Sequence, residues 1–228
     1  MTKIIKGINK LKMNKINNHI AKLKKMPISV IVRTKTFEDA QKVLKNTIEN
    51  GFFFAEITLT IPNAFQLIYE TKKKYNKIMI GAGTVLTLKE AEKSIKLGAD
   101  YLVSPVYNEE ILEWSLKKDI LYIPGVMTVN EMYNVTKKGA QIFKLYPSTF
   151  LHHETLKLIK QPFPNFNILA TGGIDLSNMK YYFEAGVLAV GITGILGGAS
   201  KIVKEKEIAN LSKQYILAIQ KILKEKSY

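Results

Sequence analysis

From residue 28 onward the chain alternates two patterns. Short apolar runs rich in β-branched residues are each followed by a stretch with apolar residues at helical spacing. The first kind reads as strand and the second as amphipathic helix. Strands are predicted at 28–33 (ISVIVR), 53–60 (FFAEITLT), 77–83 (KIMIGAG), 100–105 (DYLVSP), 120–124 (ILYIP), 141–146 (QIFKLY), 167–171 (NILAT) and 187–192 (VLAVGI). Strands alternating with helices make βαβ units and a parallel sheet. Eight such units with nothing left over predict an α/β fold, a closed (β/α)8 TIM barrel. The punctuation agrees. Gly51, Gly98, Gly139 and Gly186 each stand just before a strand, where a helix ends in a left-handed residue. Thr36, Thr87 and Thr128 precede helical stretches, and Glu90 and Glu131 complete two capping boxes.

The first 26 residues break this rhythm. Ile4, Ile8, Leu11, Ile16, Ile20 and Leu23 recur at roughly helical spacing, with Lys between them. We expect a helix that caps the N-terminal mouth of the barrel. The expected division is a basic N-terminal helix or extension over 1–26 and one barrel domain over 27–228. A basic amphipathic helix could instead rest on anionic lipid. Met13 offers an alternative start.

Composition adds limits. The chain has no Cys, so no disulfide framework or thiolate metal site is possible, as suits a reducing cytoplasm. No run is long and apolar enough for a membrane span, and the basic start lacks the apolar core and cleavage site of a secretory signal. The expected location is therefore cytoplasmic, with no membrane partner. The net charge of +15 invites a nucleic-acid reading. Its distribution argues against one. Eight Lys and no acid lie within 1–26, the rest spreads over helix faces such as 72–77 and 204–207, and Arg33 is the only Arg. Arg is the commonest reader of bases. A basic surface also favours small anionic, phosphorylated substrates.

The charge that matters most is a single lysine in an apolar strand, QIFKLYPSTF from Gln141 to Phe150. Lys is seldom buried without compensation. Side chains alternate along a strand, so in a barrel one set points inward. With Phe143 and Leu145 against helices, Ile142, Lys144 and Tyr146 point inward. The same rule sends Phe54, Glu56, Thr58 and Thr60 inward in the second strand and Ser29, Ile31 and Arg33 in the first. In the third it selects Ala82 and Thr84. Arg33, Glu56 and Lys144 then converge near the C-terminal strand ends, where barrels of this class carry their active sites. A merely stabilising ion cluster is the competing reading.

A second motif tilts the balance toward function. ATGGIDLSNM (170–179) follows the seventh strand, with two glycines and a helix expected near Ser177. Such a turn lets backbone N–H groups approach an anion. GITGILGG (191–198) follows the eighth strand, and phosphate-binding barrels use these two loops. IGAGTV (80–85) is a further close-approach turn, and Pro105 and Pro124 fix loop directions at strand ends. No His cluster has ligand-like spacing, and His152–His153 reads as a solvated helix start. No metal and no cofactor is expected.

In order along the chain, EITLT, GAGTV, SP, PGVMT, FKLYP and TGG resemble the 2-keto-3-deoxy-6-phosphogluconate (KDPG) and 4-hydroxy-2-oxoglutarate aldolase family, over about residues 28–200. The resemblance implies a class I, Schiff-base aldolase on a (β/α)8 barrel, typically homotrimeric. It makes Lys144 the Schiff-base lysine and Glu56 the general acid/base. It places Thr84 and Pro105 in a pyruvate pocket and Thr171, Gly172 and Gly173 in the substrate and phosphate loop. Tyr146 stands where the family often has Phe. Some members hold the substrate carboxylate with an Arg at the position of Thr60, and others with one where Arg33 stands. Thr193–Gly194 replaces a frequent Gly-Ser.

The chemistry follows from these residue types. Burial disfavours an ammonium, and the free amine is the nucleophile. The Lys144 amine attacks the ketone of a 2-oxo acid, and the iminium accepts electrons as the C3–C4 bond breaks. Glu56, through a water, moves the protons, while Arg33 holds the carboxylate and Thr58 and Thr84 orient water or substrate oxygen. The reaction that the resemblance implies cleaves 2-dehydro-3-deoxy-6-phosphogluconate to pyruvate and glyceraldehyde 3-phosphate. The alternatives are the phosphogalactonate epimer, 4-hydroxy-2-oxoglutarate, and, more distantly, a phosphate-binding barrel or basic binding protein without aldolase activity.

Overall fold

The computed structural model describes residues 14–198 and 204–225. Nine parallel strands follow one another around a ring: β1 (Ile28–Val32), β2 (Phe54–Thr58), β3 (Met79–Gly83), β4 (Tyr101–Val103), β5 (Leu121–Ile123), β6 (Gly125–Val126), β7 (Phe143–Leu145), β8 (Ile168–Thr171) and β9 (Ala189–Ile192). The hydrogen-bonded order is β5-β4-β3-β2-β1-β9-β8-β7-β6. The two ends of that order, β5 and β6, are consecutive in the chain, so the ring closes covalently at Pro124. Eight strands were expected here and nine are found. Proline has no N–H to give a ladder, and at Pro124 the fifth strand changes partner from β4 to β7. The expected sixth to eighth strands are thus β7 to β9.

Helices cover the outside of the ring: α2 (Phe37–Ile48), α3 (Ala64–Lys74), α4 (Leu88–Lys96), α5 (Glu109–Lys117), α6 (Val129–Lys137), α7 (His153–Lys160), α8 (Met179–Glu184), the short α9 (Gly194–Gly197) and the long α10 (Glu205–Glu225). Thr36 caps α2, and Thr87–Glu90 and Thr128–Glu131 form reciprocal capping boxes at α4 and α6. The four glycines before strands have φ between +83° and +108°, a region that side chains resist.

Two apolar clusters hold the fold. The outer one lies between sheet and helices and includes Val30, Val32, Ala55, Ile57, Ile80, Ala82, Phe143 and Leu145. The inner one fills the N-terminal half of the barrel with Phe54, Met79, Tyr101, Leu121, Ile123, Ile142, Leu169 and Ala189. Ile16, Ile20 and Leu23 of α1 (Lys15–Lys25) belong to this inner cluster. That helix therefore stoppers the N-terminal mouth, as its apolar spacing predicts. Asp119, at the α5–β5 turn, accepts from the N–H groups of Lys15 (2.7 Å) and Ile16 (3.2 Å) and so anchors the helix start. Ile4, Ile8, Leu11 and Met13 lie outside the described residues.

One inward assignment is corrected. Ala82 is in the outer cluster, facing helices. The inward set of β3 is Met79, Gly81 and Gly83. A Cβ on Gly81 would sit 2.3 Å from the Tyr101 ring, and one on Gly83 would sit 2.3 Å from Glu56 Oε1. Thr84 nevertheless turns toward the barrel mouth, because its φ of +58° breaks strand alternation there.

Candidate active site

Lys144 and Glu56 meet inside the barrel. Lys144 Nζ donates to Glu56 Oε1 at 3.3 Å, and their side chains are 5% and 1% exposed. They come from β7 and β2, on opposite arcs of the ring. The Lys144 backbone N–H is fixed to the Pro124 carbonyl at 2.8 Å. Glu56 fits because its register partner on β3 is Gly81 and the next inward residue is Gly83. At Gly83 the missing side chain makes room for the carboxylate, and at Gly81 it makes room for the Tyr101 ring. A buried ion pair of this kind adds little to stability over apolar packing, so its presence invites a chemical explanation.

The mouth above the pair is polar. Arg33, just after β1, donates from Nη2 to Thr84 Oγ1 at 3.1 Å. Both side chains are half-buried. Thr84 is β-branched and left-handed, a costly conformation that is kept here beside the cavity. Thr58 Oγ1 donates to the Val32 carbonyl at 2.9 Å and lies 2.9 Å from Thr60 Oγ1. Thr58 has one proton, so in this chain of bonds Thr60 donates to Thr58 and keeps its lone pairs free to accept. The Tyr146 ring lies 5.5 Å from Lys144 Nζ and is 40% exposed, forming a wall at the rim rather than part of the interior.

The loop after β8 is built as a close-approach turn. Thr171 is buried and donates to the Leu145 carbonyl at 3.3 Å. Gly172 and Gly173 have φ of +86° and +78°. A Cβ on Gly173 would lie 2.1 Å from Thr149 Cγ2, and one on Gly172 would press on Pro147 and Tyr146. Asn178 Nδ2 braces the turn by donating to the Gly173 carbonyl at 2.7 Å. The helix expected near Ser177 begins at Met179, because Asp175 binds the Ser177 N–H and holds 176–178 as a turn. After β9, Thr193 is half-buried and Gly194 opens on free space at the start of α9.

Pro105 stands after β4, and its carbonyl is packed so tightly on β6 that a Cβ at Gly125 would be 2.2 Å from it. The sequence reading overlooked Gly83 and Gly125 as site-shaping positions. Alternate glycines in IGAG were the available signal for the first. The His152–His153 reading needs revision. His152 is exposed, but His153 is half-buried, stacked on Tyr181 with ring centroids 5.0 Å apart. Among the described residues no group of His, Asp and Glu could hold a metal ion. No described helix is long and apolar enough to cross a membrane.

Comparisons with known proteins agree with this fold. The family model for KDPG and KHG aldolases matches residues 19–214. The 2-dehydro-3-deoxy-6-phosphogalactonate aldolase of Escherichia coli K12 is 28% identical over 200 residues, covering 86% of this chain and 98% of its own. The 2-dehydro-3-deoxy-phosphogluconate aldolase of Treponema pallidum (strain Nichols) is 27% identical over 171 residues, covering 74% and 81%. A solved native KDPGal structure superposes with a TM-score of 0.81 at 25% identity, covering 88% of this chain and 97% of that one. The chain belongs to the KDPG and KHG aldolase family and is a lyase.

Proposed function

We propose that this protein cleaves a 2-dehydro-3-deoxy-6-phospho sugar acid to pyruvate and glyceraldehyde 3-phosphate through an imine on Lys144. The observation that carries this reading is the buried amine 3.3 Å from a buried carboxylate at the open end of the barrel. The Lys144 amine adds to the C2 ketone, and loss of water gives the iminium. Electrons of the C3–C4 bond then flow into it as the C4 hydroxyl loses its proton, releasing the aldehyde and leaving an enamine. Protonation at C3 and hydrolysis return pyruvate and the free amine. Glu56 moves the protons of these steps, through a water where direct reach fails. Arg33 holds the substrate carboxylate, with Thr84 orienting its guanidinium. Backbone N–H groups of Gly172–Gly173 and of Thr193–Gly194 face the phosphate. Thr58, Pro105, Tyr146 and Thr171 line the cavity. No cofactor takes part.

The gluconate epimer is the first reading, and it is the substrate named for the Treponema pallidum relative. The galactonate epimer is the second reading, favoured by the family relative and solved structure that carry that name. The protein acts in the cytoplasm as a homotrimer. Exposed Phe150, Leu158 and Tyr181 near α7 and α8 support association.

Pyruvate release, followed through a coupled dehydrogenase, tests the substrate. Both phosphorylated epimers and unphosphorylated 4-hydroxy-2-oxoglutarate are the trial compounds. Fastest turnover on a phosphorylated epimer supports the reading. Turnover of none of the three would refute it. Light scattering in solution checks the trimer.

A further inference from the structure

Among the described residues, the barrel interior below the Lys144–Glu56 pair is apolar except at one point. Tyr101 of β4 and Ser29 of β1 are both buried there, 3% and 4% exposed. Their hydroxyls are 3.5 Å apart, and Ser29 Oγ is 3.4 Å from the Val30 carbonyl. Both contacts are at the long limit of a hydrogen bond, so neither hydroxyl is well satisfied by the other. Buried hydroxyls seldom remain so.

The strand register explains how Tyr101 reaches this place. Gly81 of β3 pairs with Tyr101 on one side and with Glu56 on the other. With no side chain on Gly81, the tyrosine ring lies across β3 and its hydroxyl reaches Ser29 on β1. Its edge meets Phe54 with ring centroids 5.9 Å apart. A cavity of about 10 Å³ is left between Ser29, Glu56 and Tyr101, closed elsewhere by Leu23, Phe54, Leu121, Ile123 and Leu169. That is room for about one water molecule, and Ser29, Glu56 and Tyr101 are the polar residues among those that line it. Burial pushes the Tyr101 phenol far above its ordinary value, so it remains a proton donor at any working pH.

We propose that Tyr101 is a positioning residue. With Ser29 it holds one water in this cavity, and that water donates to the Glu56 carboxylate from the side away from the substrate. No proton is transferred along the string. Its role is to fix the carboxylate so that Oε1 faces Lys144 and the reacting carbons. The lone apolar alternative, Phe, would fill the same space and leave the carboxylate unsupported from below.

The inference rests on the imine reading of Lys144, and the test separates the two. Exchange of the pyruvate methyl protons in heavy water, followed by proton NMR, reports C3 proton transfer at the enamine. Borohydride trapping reports the imine itself. Tyr101→Phe removes one oxygen. At saturating pyruvate it should slow methyl exchange about tenfold, as expected for loss of one bond to a charged group, and leave the trapped adduct on Lys144 unchanged. Equal exchange in native and Tyr101→Phe protein overturns the proposal. So does a parallel fall of exchange and trapping, which would mark a merely structural role. A native protein that exchanges no methyl protons refutes the imine reading instead. If Tyr101→Phe does not fold, a high-resolution crystal structure of the native chain decides. A water bonded to Tyr101 and Glu56 supports the proposal, and a dry cavity ends it.

Discussion

At the N-terminal end of the barrel, Ile16, Ile20 and Leu23 of α1 meet Phe54, Met79, Leu121, Ile142 and Leu169. At the C-terminal end, two residues or so further along the same strands, stand Glu56, Thr58, Lys144 and Thr171. One strand thus carries both chemistries: Phe54 below and Glu56 above on β2, Ile142 below and Lys144 above beside and on β7. The lower end gains free energy by removing apolar surface from water, about 25 cal/mol per Å². The upper end spends part of that stability on a buried ion pair and a left-handed Thr84. Stability and reactivity are separated by about two residues of strand, roughly 7 Å.

Substitutions at each end should therefore have different signatures. The largest effect is expected from Lys144→Ala. It should lower kcat for aldol cleavage by more than about 10³-fold, since the covalent route is lost. It also leaves Glu56 buried without its partner, a cost of about 3 kcal/mol in stability that chemical denaturation would read. Ile20→Ala, at the other end, should cost about 2–4 kcal/mol of stability and leave kcat per folded molecule unchanged. A matching loss of kcat would show that the stopper helix reaches the chemistry and would break the comparison.

Gly83→Ala sharpens the boundary. Its Cβ would meet Glu56 Oε1 at 2.3 Å and force the carboxylate aside. We expect kcat to fall about 10²-fold, as for other displacements near 1 Å, with a smaller change in KM. Steady-state kinetics of pyruvate release check this.

The smallest effect concerns acid stability at the lower end. Burial holds the His19 imidazole below its ordinary value, with Lys22 and Lys72 adding to the shift and Asp100 and Asp119 opposing it. Its Nδ1 is buried and finds no hydrogen-bond partner among the described residues. A group whose folded form resists protonation gives stability that is full above the unfolded value, near 6.5, and lost as pH falls below it. Thermal unfolding followed from pH 7.5 to 5 should show this loss. His19→Gln should flatten that slope while activity at pH 7.5 is retained.

The two ends were also unequally legible in the sequence. Apolar β-branched runs, capping boxes and pre-strand glycines are local signals, so strands and helix starts could be placed within a few residues. Lys144 and Glu56 were legible because a charge in an apolar strand is costly and rare. Ala82 was misassigned because simple alternation was carried through Thr84, whose positive φ depends on tertiary contacts. The break at Pro124 was missed because a proline ending a run looks the same as one splitting it. Tyr101 drew no notice, since an aromatic at the start of a strand is ordinary core. Only the register with Gly81 shows how its ring crosses the sheet so that its hydroxyl reaches Ser29. Gly125 likewise needed the neighbouring Pro105 carbonyl to reveal its role.

The most direct test of the account is borohydride reduction in the presence of pyruvate, followed by peptide mass analysis. The account predicts one reduced pyruvyl adduct, on Lys144, absent from Lys144→Ala. A folded native protein that yields no adduct at saturating pyruvate, or yields one on another lysine, would contradict it.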